Sequence, residues 1–200
     1  MKWSGRVGVQ LFGGNAEHMA EAARQVVEWV QPDFIDLNFG CPVNKVVAKN
    51  GGSALLKDCP TLGRVAEAVV KAVAPLPVTA KIRTGWDDNS INAPSVARLL
   101  ESLGVAALAV HGRTRAQGYS GAADWEMIAQ VAAAVSIPVI GNGDLFAAAR
   151  RGAAEGGIGH RRGDDRARRD EFPVDLFAGE TLSRDRRSSC RRRSRRRNGR

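Results

Sequence analysis

Cys41 lies in the segment of this chain whose residue types are best suited to chemistry. Residues 35–45 have the sequence IDLNFGCPVNK, so the thiol is followed directly by Pro42 and has Asn38 and Lys45 nearby. Most free cysteines are small, buried core residues. A cysteine at the end of a predicted buried strand, in a loop of glycine and polar residues, is instead presented to the mouth of the domain. We therefore predict a functional role for this thiol.

Further polar side chains share one position, at or just beyond the C-terminal end of a predicted strand. Apolar, β-rich runs predict strands over residues 7–13, 33–40, 76–85, 105–114 and 137–144, and helical periodicity predicts helices over 16–30, 61–73, 93–104 and 124–135. The polar residues at the strand ends are Gln10, Asn38, Cys41, Lys81, Arg83, His111, Arg113, Asn142 and Asp144. Strands that alternate with helices in this way indicate right-handed βαβ units and a parallel sheet.

The position of these polar residues distinguishes two folds that the alternation allows, a doubly wound sheet and a TIM barrel. A barrel gathers the C-terminal ends of its strands around one mouth, so it would bring the polar side chains together. A whole barrel typically needs about 250 residues, and this chain has 200. We therefore predict an α/β fold, a partial TIM (β/α)8 barrel of about five βα units. We expect both faces of its sheet to be covered and its strands to lack clean polar alternation.

The net charge of +9 is concentrated at the C-terminal end of the sequence. Residues 1–150 contain 14 Lys or Arg and 13 Asp or Glu, whereas residues 151–200 contain 16 Arg, no Lys and 8 Asp or Glu. This distribution excludes a uniformly basic nucleic-acid-binding body. We predict a barrel domain over residues 1–146 and a disordered, Arg-rich tail over residues 147–200. A GC-rich gene translated in a wrong frame gives such a composition, so we also hypothesise a frameshift near residue 147, which sequencing of the parent gene would test.

The cysteine content and the hydropathy of the chain indicate where in the cell the protein is expected. Cys41, Cys59 and Cys190 share no CxxC spacing and indicate no disulfide framework. No run of about 18 apolar residues and no signal-peptide pattern is present in the sequence. These features predict a reduced, cytoplasmic protein without membrane association. We further predict no metal site, no stable protein partner and a structural role for Cys59.

Four linked segments resemble the tRNA-dihydrouridine synthase family, and its bacterial DusB type in particular. The first is IDLNFGCPVNKVVAKNGGSALL over residues 35–56, which is similar to the family's strand ending in N-x-GCP, with a lysine and glycines after it. The others are AKIRTGWDD (80–88), VHGRTRAQGYSGAADW (110–125) and PVIGNGD (138–144), in the family's order and spacing. The resemblance runs from about residue 7 to residue 146.

The resemblance implies an FMN-dependent TIM barrel that reduces the C5–C6 bond of uridine in the tRNA D-loop, with NADPH as the reductant and tRNA as the partner. Cys41 would be the catalytic proton donor, since a thiol is mostly protonated at neutral pH and yet releases its proton readily. The implied FMN-binding residues are Gln10, Lys81, His111, Asn142, Gly143 and Asp144, and the implied substrate-binding residues are Asn38 and Arg113. In this set, a cation at Lys81 would favour a reduced, anionic flavin.

Three residues near these segments are open to more than one interpretation. An ion pair is the simplest interpretation of Arg83. Trp86 and Tyr119 are candidates for stacking on tRNA bases, but packing in the core explains them equally well.

Parts of the family pattern have no counterpart in this sequence. They are the first strand with its flavin-cradling segment, the second strand, the G-R-G phosphate segment and the helical tRNA-binding domain. Because a TIM barrel usually binds phosphate with the loops after its last two strands, we expect the chain as given to bind FMN weakly and to have little activity.

Two other functions remain open at this point. One is that of another FMN-barrel oxidoreductase acting on free pyrimidines, against which the KIRTGW and HGRTRAQGY segments argue. The other is that of an inactive fragment whose Arg-rich tail binds RNA non-specifically, with affinity that falls steeply as salt rises. Assays on free pyrimidines and on tRNA, together with deletion of residues 147–200, distinguish the three functions.

Overall fold

A computed structural model of the protein describes residues 5–144. Five parallel strands form one sheet in which their order follows the chain. Their bounds are Gly8–Leu11 (β1), Phe34–Asn38 (β2), Val78–Arg83 (β3), Ala107–His111 (β4) and Val139–Asn142 (β5). The predicted disordered tail, the hypothesised frameshift and the domain boundary at residue 146 lie outside the described residues.

Helices connect successive strands and complete the predicted βα units. They are α1 (Ala16–Val30), α2 (Asn44–Val47), the 3-10 helix η1 (Gly52–Lys57), α3 (Cys59–Val73), α4 (Ala93–Ser102) and α5 (Trp125–Ala134). The short elements α2 and η1 occupy a segment that the sequence predicted to be a loop. The predicted α/β class with a parallel sheet is confirmed. None of the helices in residues 5–144 has the length and apolar character needed to cross a membrane.

Short polar side chains begin several of the helices. Asn15 accepts a hydrogen bond from the backbone N–H of His18 at 2.8 Å, at the start of α1. Asp58 accepts bonds from the backbone N–H and the hydroxyl of Thr61, at 3.1 and 2.6 Å, at the start of α3. Such caps satisfy N–H groups that have no partner inside the helix, and so fix where each helix begins.

The two faces of the sheet differ in chemistry, because side chains alternate between the faces along each strand. One face carries buried apolar residues, namely Ile35, Leu37, Val78, Ala80, Ile82, Leu108 and Val110. The opposite face, which we call the polar face, carries Gln10, Asp36, Asn38, Thr79, Lys81, Arg83, His111 and Asn142. The expectation that the strands lack polar alternation is therefore wrong. The polar side chains are tolerated because they form hydrogen bonds with one another and with nearby backbone.

The hydrophobic core lies between the apolar face of the sheet and the helices. Leu62 and Val65 of α3, Leu100 of α4 and Ile128 of α5 are all inaccessible to solvent within it. Helices α1 and α3 also pack against each other. This packing holds the strands in register from one side, so the opposite side of the sheet is left for the polar face.

Replacement of Ile35 by alanine tests the position of this core. Ile35 is 0% exposed, so Ile35→Ala should lower the free energy of unfolding by about 2–5 kcal/mol through lost burial and the cavity left behind. Ile91 is 43% exposed, and the same change there should cost less than about 1 kcal/mol. Urea unfolding of both variants measures the difference. Equal losses would show that the core is elsewhere.

Candidate functional site

Polar side chains from all five strands converge on the polar face, towards the C-terminal ends of the strands. Gln10 pairs in register with Asp36, Asn38 with Lys81, and Arg83 with His111. His111 also pairs in register with Asn142. The structure thus brings together most of the residues that the sequence singled out. Their individual roles stay predictions.

A continuous chain of hydrogen bonds crosses the first three strands of this face. The Thr79 hydroxyl donates to Asp36 Oδ1 at 2.7 Å, and Gln10 Nε2 donates to Asp36 Oδ2 at 2.6 Å. Asn38 Nδ2 donates to Gln10 Oε1 at 2.9 Å. Asn38 Oδ1 then accepts the backbone N–H of Cys41 at 2.9 Å. The thiol-bearing loop is therefore joined to the polar face through Asn38.

Asp36 is a site residue that sequence reasoning missed. Its side chain is buried, with the residue 7% exposed. Burial raises the pKa of its carboxyl, against the hydrogen bonds from Thr79 and Gln10 and the charge of Lys81, which lower it. The signal that could have found it is its spacing, because a residue two positions before Asn38 in a strand shares the same face.

The backbone around Cys41 is held by the residues that follow it. The Cys41 carbonyl accepts the backbone N–H of Ser53 at 3.1 Å and the Ser53 hydroxyl at 2.9 Å. Gly52 has a φ of +56°, and a Cβ there would lie 2.7 Å from the Cys41 carbonyl oxygen. Only glycine fits this position without strain. The element η1 thus closes over the loop and fixes the half-buried cysteine.

Lys81 is a largely buried cation near the middle of the polar face. Its Nζ donates to Asn142 Oδ1 at 2.9 Å, across strand β4. Ala109 lies in register beside Lys81, and its small side chain leaves room for this contact. Burial, together with the nearby charge of Arg83, lowers the pKa of Lys81 to about 8, while Asp36 opposes the shift. Lys81 is therefore still mainly protonated at pH 7.

Arg113 and Asp144 form a paired group at the edge of this face. Arg113 Nη2 lies 2.8 and 2.9 Å from the two carboxylate oxygens of Asp144. The backbone N–H of Ala123 and then Arg113 lower the pKa of the Asp144 carboxyl. Arg113 also donates to the Gly121 and Ser120 carbonyls, at 2.5 and 3.3 Å. These contacts hold Arg113 within the protein, and its predicted contact with substrate stays a prediction.

His111 is neutral at physiological pH. Burial, followed by the charges of Arg83, Lys81 and Arg113, lowers its pKa to about 4. Its Nε2 lies 3.3 Å from Arg113 Nη1, which can only donate a hydrogen bond. Nε2 must therefore be the acceptor, and the ring proton is on Nδ1. The imidazole is thus held in one tautomer.

A cavity of about 680 Å³ adjoins this group. It is lined by His111, Arg113, Tyr119, Gly121, Ala122, Asn142, Gly143 and Asp144. Gly143 has a φ of +130°, and a Cβ there would lie 2.6 Å from that of Ala123, so the backbone must stay bare at this point. Four of the six residues predicted to bind a cofactor therefore share one cavity.

Arg83 makes no ion pair within residues 5–144, so the interpretation offered from the sequence is wrong. It is 3% exposed. Its guanidinium donates to the carbonyls of Gly40, Thr114 and Gly118, at 3.0, 2.9 and 2.8 Å. A guanidinium has five N–H donors, and backbone carbonyls from two loops satisfy three of them. Arg83 thereby fastens the cysteine loop to the loop after β4.

The two aromatic candidates differ in their surroundings. Tyr119 is 80% exposed, so core packing is wrong for it. Trp86 is half-buried and has two cations near its ring, with Lys57 Nζ at 4.1 Å and Arg115 Cζ at 4.5 Å from its ring centroid. Both cations lie within cation–π range of the ring. Stacking on tRNA stays a prediction for both aromatics.

Cys59 lies outside the polar face, and the structural role predicted for it stays a prediction. It is the first residue of α3, and its Sγ accepts a hydrogen bond from Asn92 Nδ2 at 3.6 Å. In the part of the chain that the structure describes, no three His, Cys, Asp or Glu side chains form a group that could bind a metal ion.

Comparison with known proteins gives one family and a set of curated relatives. The model of the family described as "Dihydrouridine synthase (Dus)" matches residues 2–156. The chain is 51% identical over 151 residues to the probable tRNA-dihydrouridine synthase of Rickettsia conorii, covering 74% of the chain and 45% of that protein. It is 53% identical over 137 residues to tRNA-dihydrouridine synthase B of Pseudomonas syringae pv. tomato, covering 68% of the chain and 40% of that protein. The chain thus spans less than half the length of these relatives.

Comparison of the fold with solved structures gives 2,3-dimethylmalate lyase, a PEP mutase/isocitrate lyase superfamily member. The TM-score is 0.50 with 14% sequence identity, and the match covers 76% of this chain and 52% of that one. At this identity the likeness concerns the fold alone. It agrees with the partial TIM barrel predicted from the sequence.

The lowered pKa of Lys81 predicts how stability depends on pH. Between pH 8 and 10.5 the unfolded chain binds a proton at this lysine that the folded chain has released. The free energy of unfolding therefore gains a contribution as pH rises through this window. Lys81→Met should be more stable than the wild type at pH 7, and its advantage should shrink towards pH 10. Urea unfolding at both pH values measures this.

The matched control is Lys71→Met, since the Lys71 side chain is 73% exposed. This variant should keep the pH-dependent contribution of Lys81 unchanged. If Lys81→Met and the wild type respond to pH in parallel, Lys81 titrates as an ordinary lysine.

Proposed function

Because the chain belongs to the dihydrouridine synthase family, we propose that it forms the catalytic part of an enzyme that reduces uridine to dihydrouridine in tRNA. The observation that carries the proposal is the joining of the Cys41 loop, through Asn38, to a polar face that also holds Lys81 and His111. A reductase of this kind needs a proton donor on one side of the pyrimidine and a redox cofactor on the other. The chain offers chemistry for both.

The polar face fits the ring end of a flavin, and we propose FMN as the cofactor. Asn142 is the one hydrogen-bond partner found for Lys81 Nζ among residues 5–144, so two of its three donors are left for a ligand. The cavity beside Asn142 also offers the bare backbone of Gly143 for close approach. The residues that would hold the cofactor are Gln10, Lys81, His111, Asn142, Gly143 and Asp144. When bound, FMN would supply the hydride for uracil C6 and would itself be recharged by NADPH.

Lys81 contributes positive charge to this face. A cation held near a flavin ring favours its reduced, anionic form. The neutral imidazole of His111 adds hydrogen bonding without adding charge, because its pKa is lowered to about 4. The two residues therefore have different electrostatic effects on one ligand.

Cys41 is the proposed proton donor. As uracil C6 gains a hydride, negative charge grows on C5 and its neighbouring carbonyl, and C5 must receive a proton. The Cys41 thiol gives that proton and becomes a thiolate. Arg83 donates to the carbonyl of the adjacent Gly40, so its positive charge lies near the forming thiolate and favours it. A later proton from solvent restores the thiol.

Asn38 and Arg113 are the proposed substrate-binding residues. One N–H of the Asn38 amide is used by Gln10, which leaves the other for a carbonyl oxygen of uracil. Arg113 is fixed by Asp144 beside the cavity, where its charge would attract a phosphate or a uracil oxygen. tRNA in the cytoplasm, with the uridine in the D-loop, is the substrate that we propose.

A chimera tests the proposal, because the chain spans only part of the length of its relatives. Residues 7–144 would replace the matching segment of the Pseudomonas syringae enzyme, expressed in a strain without its own dihydrouridine synthases. We expect dihydrouridine to return to tRNA, measured by mass spectrometry of digested nucleosides. Cys41→Ala in the chimera should lower the rate by about 10²–10⁴-fold, the range for loss of a general acid.

Cys59→Ala is the matched control, since it removes a thiol outside the polar face and should leave the rate unchanged within about twofold. A Cys41→Ala chimera as active as its parent would exclude the thiol as the donor. Reduction of free uracil or uridine without reduction of tRNA would support the alternative of a free-pyrimidine oxidoreductase.

A further inference from the structure

We infer that Asp36 is a positioning residue that orients the amides of Gln10 and Asn38 and, through them, the loop that carries Cys41. This inference rests on the proposed function, in which those three residues contact cofactor and substrate. Asp36 itself has no part in that proposal. It lies at the buried end of the chain of hydrogen bonds, and Cys41 lies at the other end.

Asp36 sets the direction of donation along this chain of hydrogen bonds. An ionised carboxylate can only accept hydrogen bonds, so both groups that face it must donate. Thr79 donates its hydroxyl proton to Oδ1, and Gln10 turns its Nε2 towards Oδ2. The nitrogen and oxygen of a glutamine amide are nearly equal in size, so hydrogen-bond partners decide which way the amide points. Asp36 makes that choice for Gln10.

The orientation of the Gln10 amide in turn determines that of the Asn38 amide. With its nitrogen on Asp36, Gln10 presents Oε1 to the next strand, where Asn38 Nδ2 donates to it. Asn38 Oδ1 then faces the backbone N–H groups of Gly40 and Cys41, at 3.2 and 2.9 Å. Backbone N–H groups can only donate. The Asp36 carboxylate and the backbone N–H groups therefore require the same orientation of the two amides. Each donor in this chain of hydrogen bonds faces an acceptor.

This chain of hydrogen bonds also determines which donors and acceptors are left for a ligand. Asn38 Oδ1 already accepts two N–H groups, so it has no lone pair left. Asn38 can present only its second N–H. Gln10 likewise keeps one N–H that no protein group uses in residues 5–144. The two amides therefore select ligand edges that carry acceptor atoms, such as carbonyl oxygens, at the points they contact.

Asp36 interacts with Lys81 at a distance, where its charge opposes the lowering of the lysine pKa, but it makes no direct contact with the ammonium. The Lys81 Nζ is bonded to Asn142, and no ion pair joins Lys81 to Asp36 within residues 5–144. The partners of the Asp36 carboxylate are a hydroxyl and an amide. Its effect is thus one of orientation by hydrogen bonding, and an uncharged side chain with an oxygen in the same place should reproduce most of it.

The experiment compares Asp36→Ala with Asp36→Asn in the 200-residue chain. NMR would follow the side-chain NH2 groups of Gln10 and Asn38 and the backbone N–H of Cys41. Asp36→Ala should make all three exchange with water about tenfold faster, the factor expected for loss of one or two hydrogen bonds. Asp36→Asn should restore slow exchange, because its single amide oxygen can take the place of Oδ2 and accept from Gln10. Its NH2 would then face the Thr79 hydroxyl, which can accept as well as donate.

Asp58→Ala is the matched control, since Asp58 is a carboxylate that caps α3 away from the polar face. It should lower stability without changing exchange at Gln10, Asn38 or Cys41. Unchanged exchange at Asn38 and Cys41 in Asp36→Ala, with lower stability alone, would overturn the inference.

Gln10→Met interrupts the chain of hydrogen bonds at a second point, at a residue that is exposed. It should free the Asn38 amide while leaving Asp36 in place, whereas retained protection of Asn38 would also overturn the inference. These measurements need no flavin, tRNA or turnover. In the chimera, Asp36→Ala should lower kcat about tenfold with KM for tRNA changed less than twofold. An inactive chimera with the expected exchange pattern would count against the proposed function and leave the inference standing.

Discussion

A carboxylate buried on the face of a β-sheet must be supplied with hydrogen-bond donors, because an unpaired buried charge costs several kcal/mol. Asp36 is the group that imposes this requirement here, and Thr79 and Gln10 meet it. The requirement extends outwards, since each amide that turns to satisfy one neighbour has its remaining atoms committed to the next. The hydrogen bonds of the polar face thus run from this buried carboxylate to the loop of Cys41, which Ser53 and Arg83 also hold.

Two buried arginines hold the loops that lie beside the polar face. Arg83 and Arg113 each direct their guanidinium N–H groups at backbone carbonyls of loops, and Arg113 adds the carboxylate of Asp144. Loops are usually the most mobile parts of a domain. Here Arg83, the last residue of β3, and Arg113, two residues beyond β4, hold them against the sheet. The sheet is itself held by the core beneath it. Positive charge is thereby concentrated around His111, and burial together with this charge lowers the pKa of the imidazole and keeps it neutral.

The sequence could predict the arrangement of elements, because its information is local. Alternating apolar runs and helical periodicity gave five strands and the main helices, and the motif around Cys41 pointed to the correct family. The partners of the polar side chains could not be predicted, because register across strands is not local. Asp36 looked like a strand residue until its contact with Thr79 was known, and Arg83 could not be told from an ion-paired arginine. The sequence predicted a loop where η1 lies, because the glycines of that segment suggest a turn more strongly than a helix.

The contact between Lys81 and Asn142 spans strand β4, in which Ala109 lies in register beside Lys81. The side chain of Ala109 is a single methyl group, so it takes little of the space that the Lys81 side chain needs to reach Asn142. A change to valine or leucine at position 109 would fill that space and push the Lys81 ammonium away from Asn142. The apolar core on the other side of the sheet would be unchanged. The tolerance of β4 to substitution therefore differs between alternate residues, and a small residue at 109 favours the reach of the cation at 81 to its partner.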